Sequence, residues 1–357
     1  MPCYHPINAY RHPSLLTDTG KQKIVIVAER DVPKHPTAEW LKLPCGQCVG
    51  CRIARTKEWA IRCVHEASLY SENAFITLTF NEENMDRDRS LVKRDFQLFM
   101  KRLRKHFSGK DAVDIPAKVD QTTGEILQPY GVHFPIRYFH CGEYGEEFNR
   151  PHHHACLFNF DFDDKILWKI VKGIPLYVSE QLDELWSKEI DAYDCRYYDE
   201  DTLFERDGRY YAKLGFCTTG SVTTDSAAYV AGYIHKKING EDAQEHYTHE
   251  DPETGELVCV EPEYTTMSRR PGIGHGFLME NTGDVYPKDF CTSKGKKFKV
   301  PRYYDSVYDQ FSPCDMKEIK AKRKEVAIAK QASPERLLQM EKCAKANLKR
   351  AKRSYEK

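Results

Sequence analysis

The chain has 357 residues, 40% of them hydrophobic and 12% aromatic, which supplies a packed core and excludes wholesale disorder. Its longest aliphatic run, Ile24 to Ala28, is far short of the roughly 18 residues of a spanning helix, and no charged stretch precedes an apolar one at Met1, so the reading is a soluble, unexported protein of about two domains. Lys and Arg (54) balance Asp and Glu (54), but the zero sum is a cancellation: Met316 to the end holds 14 basic and 5 acidic residues, the remainder 40 and 49.

In chain order, the first forty residues, rich in Pro, His and Thr, read as an extended arm with one strand-like run, Lys23 to Val27. Cys45, Cys48 and Cys51 follow in C-x₂-C-x₂-C spacing, one ligand short of the four of structural zinc. Cys3 completes that set, with His5 or Cys63 as substitutes; the alternative is a tight glycine-containing loop of small residues. With 13 cysteines in all, reduced thiols fit better than paired disulfides. Cys51 to Tyr70 is a helix, with Ile53, Trp59, Cys63 and Ala67 near helical spacing. Phe75 to Phe80 alternates with period two and is β-branched and aromatic, hence a strand. Leu91 to Phe107 is an amphipathic helix. Its apolar stripe is Val92, Phe96, Phe99, Leu103 and Phe107, and its other face carries Lys93, Arg94, Lys101, Arg102, Arg104 and Lys105, placed to meet phosphate.

Strands at Pro135 to Cys141 and His152 to Phe160, joined by the turn-rich Gly142 to Pro151, make an antiparallel hairpin. Glu180 to Asp207 holds 11 acids against 3 bases, and Glu241 to Glu263 holds nine acids and neither Lys nor Arg; both suit solvated insertions. Between them lie a strand at Lys213 to Thr219 and a helix at Ser226 to Lys237, capped by Thr224, Asp225 or Ser226. Met267 to Gly274 is basic and turn-forming, placing Arg269 and Arg270 within reach of phosphate or on a plain surface loop. Residues from Met316 form a basic helical tail divided by Pro334.

The chemistry concentrates at His152-His153-His154. Strand parity puts His152 and His154 on one face, with His153, Ala155 and Leu157 on the other. The hairpin brings Glu143 alongside, and a His-His-Glu set suits Mg²⁺ or Mn²⁺, and accepts Zn²⁺; a surface histidine patch is the plain alternative. Tyr229 and Tyr233 stand i, i+4 on the predicted helix, followed by Lys236 and Lys237, and such spacing also fits ordinary packing.

Phe75-Ile-Thr-Leu-Thr-Phe80, Gly142-Glu-Tyr-Gly145 with Arg150-Pro-His-His-His154, and Tyr229-Val-Ala-Gly-Tyr233-Ile-His-Lys-Lys237 resemble, in order, the three motifs of rolling-circle initiators of the HUH endonuclease superfamily. Over Cys3 to Gly274 the chain resembles the replication initiators of gokushoviruses, the small single-stranded DNA phages of the Microviridae. The resemblance rests also on Pro44 to Arg52, on Glu58-Trp59 with Arg62, and on Met267 to Gly274. It implies an α+β fold, an RRM-like antiparallel sheet with flanking helices, to which the residue pattern adds a Cys-containing N-terminal arm and a helical basic tail. The expected domains are an N-terminal arm with the Cys cluster and a basic helix over 1–70, an endonuclease core over 71–240 with an acidic insertion near 180–207, an acidic, turn-rich extension packing on the core over 241–315, and a basic helical tail over 316–357.

It further implies metal ligation by Glu143, His152 and His154, nucleophilic Tyr229 and Tyr233, and phosphate pairing by Lys236 or Lys237. His153 fills a position where relatives carry a hydrophobic residue or tyrosine. The implied activity is nicking and re-ligation of a replication origin, on single-stranded and double-stranded origin DNA, in the cytoplasm of an infected bacterial host. No P-loop pattern is present, so no nucleotide cofactor is expected and a host helicase and replication machinery become the expected partners, with no membrane. A plasmid or transposon HUH nuclease shares the chemistry; a non-catalytic, zinc-containing single-strand binder is the alternative from another class.

Overall fold

The computed structural model describes residues 3–18, 20, 22–27, 38–85, 88–115, 118–119, 126–128, 131–133, 135–145, 149–171, 173–232, 242–250, 254–286, 288–293, 295–329 and 332–355. It divides into two units, residues 1–56 with 305–357, and residues 57–304. In the first, β1 (Ile7–Leu16), β2 (Gln22–Ile26) and β3 (Glu39–Leu43) form an antiparallel sheet in the order β2-β1-β3. The stretch expected as an extended arm with one strand is therefore a sheet. Pro13 does not interrupt it because it falls where the β1–β2 register shifts, between Arg11 and Leu16, a place where no ladder N–H is required. Tyr10 and Trp40 pair across β1 and β3 with ring centroids 5.6 Å apart, the kind of aromatic contact that holds a small sheet in register.

Helix α1 (Val49–Ala67) leads into the second unit, which is built on β4 (Asn73–Leu78), α2 (Lys93–His106), β5 (Arg137–Tyr144), β6 (Pro151–Phe158), β7 (Ile166–Val171), β8 (Ile174–Val178), α3 (Glu180–Leu185), β9 (Cys217–Ser221), α4 (Thr224–Gly232), β10 (Tyr264–Met267) and α5 (His275–Val285). Seven of these strands form one antiparallel sheet, ordered β7-β8-β9-β4-β6-β5-β10. Alternation sends successive side chains to opposite faces. On one face Ile76, Leu78, Ala155 and Leu157 pack with Phe96, Phe99 and Leu103 of α2 and with Leu182 and Leu185 of α3. On the other, Phe139, Cys141, Cys156 and Phe158 pack beneath Cys63 of α1 and Ala227, Val230 and Ala231 of α4. Both faces are covered, which is why β6 is buried along almost its whole length.

Three sequence expectations change. Gly142 to Tyr144 is paired strand, not turn, with Glu143 opposite His152. A Cβ on Gly142 would lie 2.9 Å from the Tyr264 ring and 3.1 Å from Leu91, so this glycine answers a close approach across the β5–β10 pair. The acidic stretch from Glu180 is not wholly solvated: Leu182, Leu185 and Trp186 are core, and Ser187–Ile190, Leu203–Arg206 and Arg209–Lys213 form a second small sheet. The expected strand at Lys213 to Thr219 is the end of that sheet and the start of β9, separated at Gly215, where a Cβ would press on the backbone of Phe80 and Asn81.

The chain closes with α6 (Arg302–Phe311), α7 (Pro313–Ala329) and α8 (Pro334–Tyr355), the last two separated before Pro334 as expected. Within the first unit, α7 pairs Arg323 with Asp305 at 2.6 Å, Lys320 with Asp309 at 2.9 Å and Lys324 with Glu39 at 2.6 Å. Among the described residues no helix is long and apolar enough to cross a membrane.

Candidate metal centre

Antiparallel register assembles the centre. Glu143 stands opposite His152 on β5–β6, and His154 stands between Cys141 and Thr77 of β5 and β4. Glu143 Oε1 lies 2.9 Å from His154 Nε2 and 3.9 Å from His152 Nε2, and one ligand atom from each residue falls within 4.8 Å of the others. Glu143 is only 1% exposed. A carboxylate at that depth is stabilised by positive charge, and two imidazoles with a carboxylate are a donor set for a divalent ion. The residues therefore fit a metal. His154 Nδ1 is 3.0 Å from the Thr77 hydroxyl; with its proton on that nitrogen, the Nε2 lone pair faces Glu143, the arrangement a ligating imidazole needs. Phe75 stacks on the His154 ring at 5.9 Å. Gly145 closes the hairpin through its N–H to the Arg150 carbonyl at 2.9 Å, and a Cβ there would lie 2.9 Å from His152 Cε1. The second glycine of the motif thus makes room for the His152 ring.

Helix α4 brings Tyr229 over this centre. Its ring is 5.2 Å from that of His154, at 84°, and the side chain is 49% exposed, so the phenol is both near the donor set and open to a substrate. The helix begins with a capping box one residue earlier than expected. Ser226 N–H donates to Thr223 Oγ1 at 3.1 Å and Thr223 N–H to Ser226 Oγ at 2.7 Å, so Thr223 is the N-cap in place of Thr224, Asp225 or Ser226. The expected helix ran to Lys237; Tyr233, Lys236 and Lys237 lie outside the described residues.

His153 points to the opposite face, where it is fully buried with His140. His140 Nε2 and His153 Nδ1 are 3.1 Å apart, His140 Nδ1 is 2.9 Å from the Thr266 hydroxyl, and Phe96 stacks on His140 at 3.5 Å. Burial pushes His153 down to about 3 and His140 well below its ordinary value, so both rings are neutral core members. The buried polar ring of His153 is accommodated by a second buried imidazole, that of His140.

The basic residues of α2 are not brought to this face, since α2 packs on the His153 side. Arg102 donates to the carbonyls of Leu185 and Ser187, Arg104 to that of Ile136 at 2.8 Å, and Lys93 pairs with Glu261 at 2.9 Å; Arg94, Lys101 and Lys105 are exposed. Arg269 and Arg270 are exposed and line, with Arg104 and Phe107, a cleft of about 570 Å³. The Gly272 to Gly274 part of that segment is buried, contrary to a plain surface loop. Arg62 Nε donates to the Ile273 carbonyl at 3.0 Å, Gly274 N–H donates to Glu66 at 2.6 Å, and Arg137 donates to the Pro271 carbonyl at 2.9 Å. Arg62 is itself stacked between Trp59 and Tyr303, at 4.1 and 4.4 Å. In the first unit Cys3, Cys45, Cys48 and Cys51 form a second group with metal-ligating geometry; His5 is turned to Glu341 at 2.8 Å, and Cys63 is buried under the main sheet.

Sequence reasoning named Glu143, His152, His154 and Tyr229, and missed Thr77, Phe75 and Gly145 as their supports. Phe75 and Thr77 share strand parity within the motif, which was the available signal; the register that sets them against His154 was not.

The model of the replication-associated protein ORF2/G2P family matches residues 73–238, a span that holds β4, β5, β6 and α4 and thus every element of the centre. Across 80% of its length the chain is 28% identical to the replication-associated protein VP4 of Bdellovibrio phage phiMH2K and 30% identical to the replication-associated protein ORF2 of Spiroplasma virus 4, covering 74% of each. It is 26% identical to the replication-associated protein ORF4 of Chlamydia phage 1, over 55% of this chain and 38% of that protein. No solved structure matches the chain.

Proposed function

The chain belongs to the family of phage replication-associated proteins, and from that membership we propose that it starts rolling-circle replication by nicking one strand of an origin through an HUH-type centre. The observation that carries this reading is the juxtaposition of Glu143, His152 and His154, with donor atoms within 4.8 Å of one another, beneath the half-exposed Tyr229 ring 5.2 Å from His154. Mg²⁺ or Mn²⁺ held by these three residues would supply Lewis-acid polarisation of the scissile phosphate.

The chain's own groups do the rest. Thr77 fixes the His154 ring, Gly145 admits the His152 ring, and α4 presents the Tyr229 phenol from the open side. The phenol oxygen attacks phosphorus in line, the P–O3′ bond breaks, and the phenolic proton passes through solvent to the departing 3′ oxygen. A 5′-phosphotyrosine and a free 3′-OH primer result, and attack by a later 3′-OH reverses the step and closes the displaced strand into a circle. Tyr233, four residues on, is the second nucleophile, and Lys236 or Lys237 pairs with phosphate. Exposed Arg94, Lys101, Lys105, Arg269 and Arg270 are assigned to DNA beyond the reacting bond. The setting is the cytoplasm of an infected host, with single-stranded and origin DNA as substrates and a host helicase for unwinding.

The test is incubation with single-stranded origin DNA and Mn²⁺ followed by denaturing electrophoresis. The wild type should form a covalent protein–DNA adduct, Tyr229→Phe should form less, and Tyr229→Phe with Tyr233→Phe none. An undiminished adduct in the double variant refutes the assignment, and no adduct in the wild type across the origin sequences of its phage would leave a non-catalytic single-strand binder.

A further inference from the structure

A second set of ligating side chains lies in the first unit. Cys3 precedes β1, Cys45 and Cys48 lie between β3 and α1, and Cys51 stands in the first turn of α1, so two stretches of chain distant in sequence converge on one point. All four sulfurs lie within 4.8 Å of one another, and those of Cys3 and Cys48 are 3.9 Å apart. A tetrahedral ion with metal–sulfur bonds of about 2.3 Å sets its sulfurs roughly 3.8 Å apart, close to this spacing.

The local backbone is arranged for charge on sulfur. Cys45 N–H donates to Cys3 Sγ at 3.2 Å, Cys48 N–H to Cys45 Sγ at 3.3 Å, and Tyr4 N–H to Cys48 Sγ at 3.3 Å. Gly46, with φ +77°, takes the left-handed turn between Cys45 and Cys48, where nothing stands within 4 Å of a would-be Cβ; conformation, not space, asks for glycine. A loop that merely needed small residues would not aim three amides at sulfur.

What covers the cluster is the C-terminal helix. Tyr4, Cys48 and Ala344 are buried together with Leu337 and Met340 of α8 against them, and His5, two residues past Cys3, reaches Glu341 of the same helix at 2.8 Å.

We propose that Cys3, Cys45, Cys48 and Cys51 bind one Zn²⁺ as four thiolates, and that this site fastens α8 to the N-terminal sheet. Four Zn–S bonds form, the thiol protons pass to solvent, and the site keeps two net negative charges. Thiolates select Zn²⁺ over the hard ions suited to the Glu143 centre, and four protein ligands leave no open position, which makes the site structural. The placement of Lys342, Lys345, Lys349 and Arg350 on α8 then depends on zinc.

Elemental analysis of freshly purified full-length protein should find about one zinc per chain. It should persist in Glu143→Gln, which separates this site from the nuclease reading, and be lost in Cys45→Ser with Cys51→Ser. Because that variant can fail to fold, the wild type is also stripped with chelator and given Co²⁺, which should produce thiolate-to-cobalt charge-transfer absorption. Amide exchange in residues 334–350 should accelerate on stripping and slow again with Zn²⁺. A wild type without zinc and without that absorption overturns the site; exchange in α8 that is indifferent to zinc overturns the fastening.

Discussion

Thr77→Val tests whether the centre is held by its neighbours or merely by its ligands. The change keeps a β-branched side chain of nearly equal volume in β4 and removes only the hydroxyl 3.0 Å from His154 Nδ1. His154 is 4% exposed, and taking a partner from a buried polar group costs about 1–3 kcal/mol. Loss of a partner that orients a ligating imidazole lowers metal affinity by about 10–100-fold, which at 1.4 kcal/mol per tenfold is about 1.4–2.8 kcal/mol, the same range. The assay is adduct yield against Mn²⁺ concentration. The half-saturating concentration should rise about tenfold or more, with the wild-type yield regained at saturation, and Thr77→Ser should restore the wild-type curve. An unchanged half-saturating concentration refutes the reasoning, and so does a loss that excess Mn²⁺ leaves in place in a variant that unfolds at the wild-type denaturant midpoint.

Other parts of the second unit are open to the same treatment. His65 is buried between Phe277 and Tyr304, and burial holds it down to about 4. The fold favours its neutral form, so its stabilisation is intact above the ordinary value near 6.5 and is lost as pH falls toward 4. Between pH 7 and pH 5 the loss is about 2 kcal/mol, and His65→Gln should lose that much less over the interval in denaturant titrations; equal pH slopes would contradict the account. Glu66 is buried against Arg137 and accepts the Gly274 N–H at 2.6 Å. Glu66→Gln should therefore cost about 3–5 kcal/mol by leaving a buried guanidinium uncompensated, with Glu66→Gln and Arg137→Met together recovering part of it; a cost of the single change below about 1 kcal/mol would mean that the pair is effectively solvated.

What could be read without coordinates was what short-range geometry decides. In β6 the period of two separates His152 and His154 from His153 as soon as the segment is taken as a strand, and Ala155 and Leu157 mark the His153 side as core. In α2 the spacing of Phe96, Phe99 and Leu103 names the packed stripe. Wherever a distant partner intervenes, local rules misjudge a residue's job. Gly142 looked like a turn because the strand that crowds it, β10, arrives some 120 residues later. Pro271 to Gly274 looked like a surface loop because its backbone groups are satisfied by Arg62, Glu66 and Arg137, which no local pattern connects to it. The same holds for charge. Six basic residues on α2 suggested a phosphate-binding face, but Arg102 and Arg104 are committed to backbone carbonyls and Lys93 to Glu261. The other three, Arg94, Lys101 and Lys105, stand across the sheet from Glu143. A formal charge records how many cations a helix carries; non-local packing decides how many remain for a ligand, and which side of the sheet they serve.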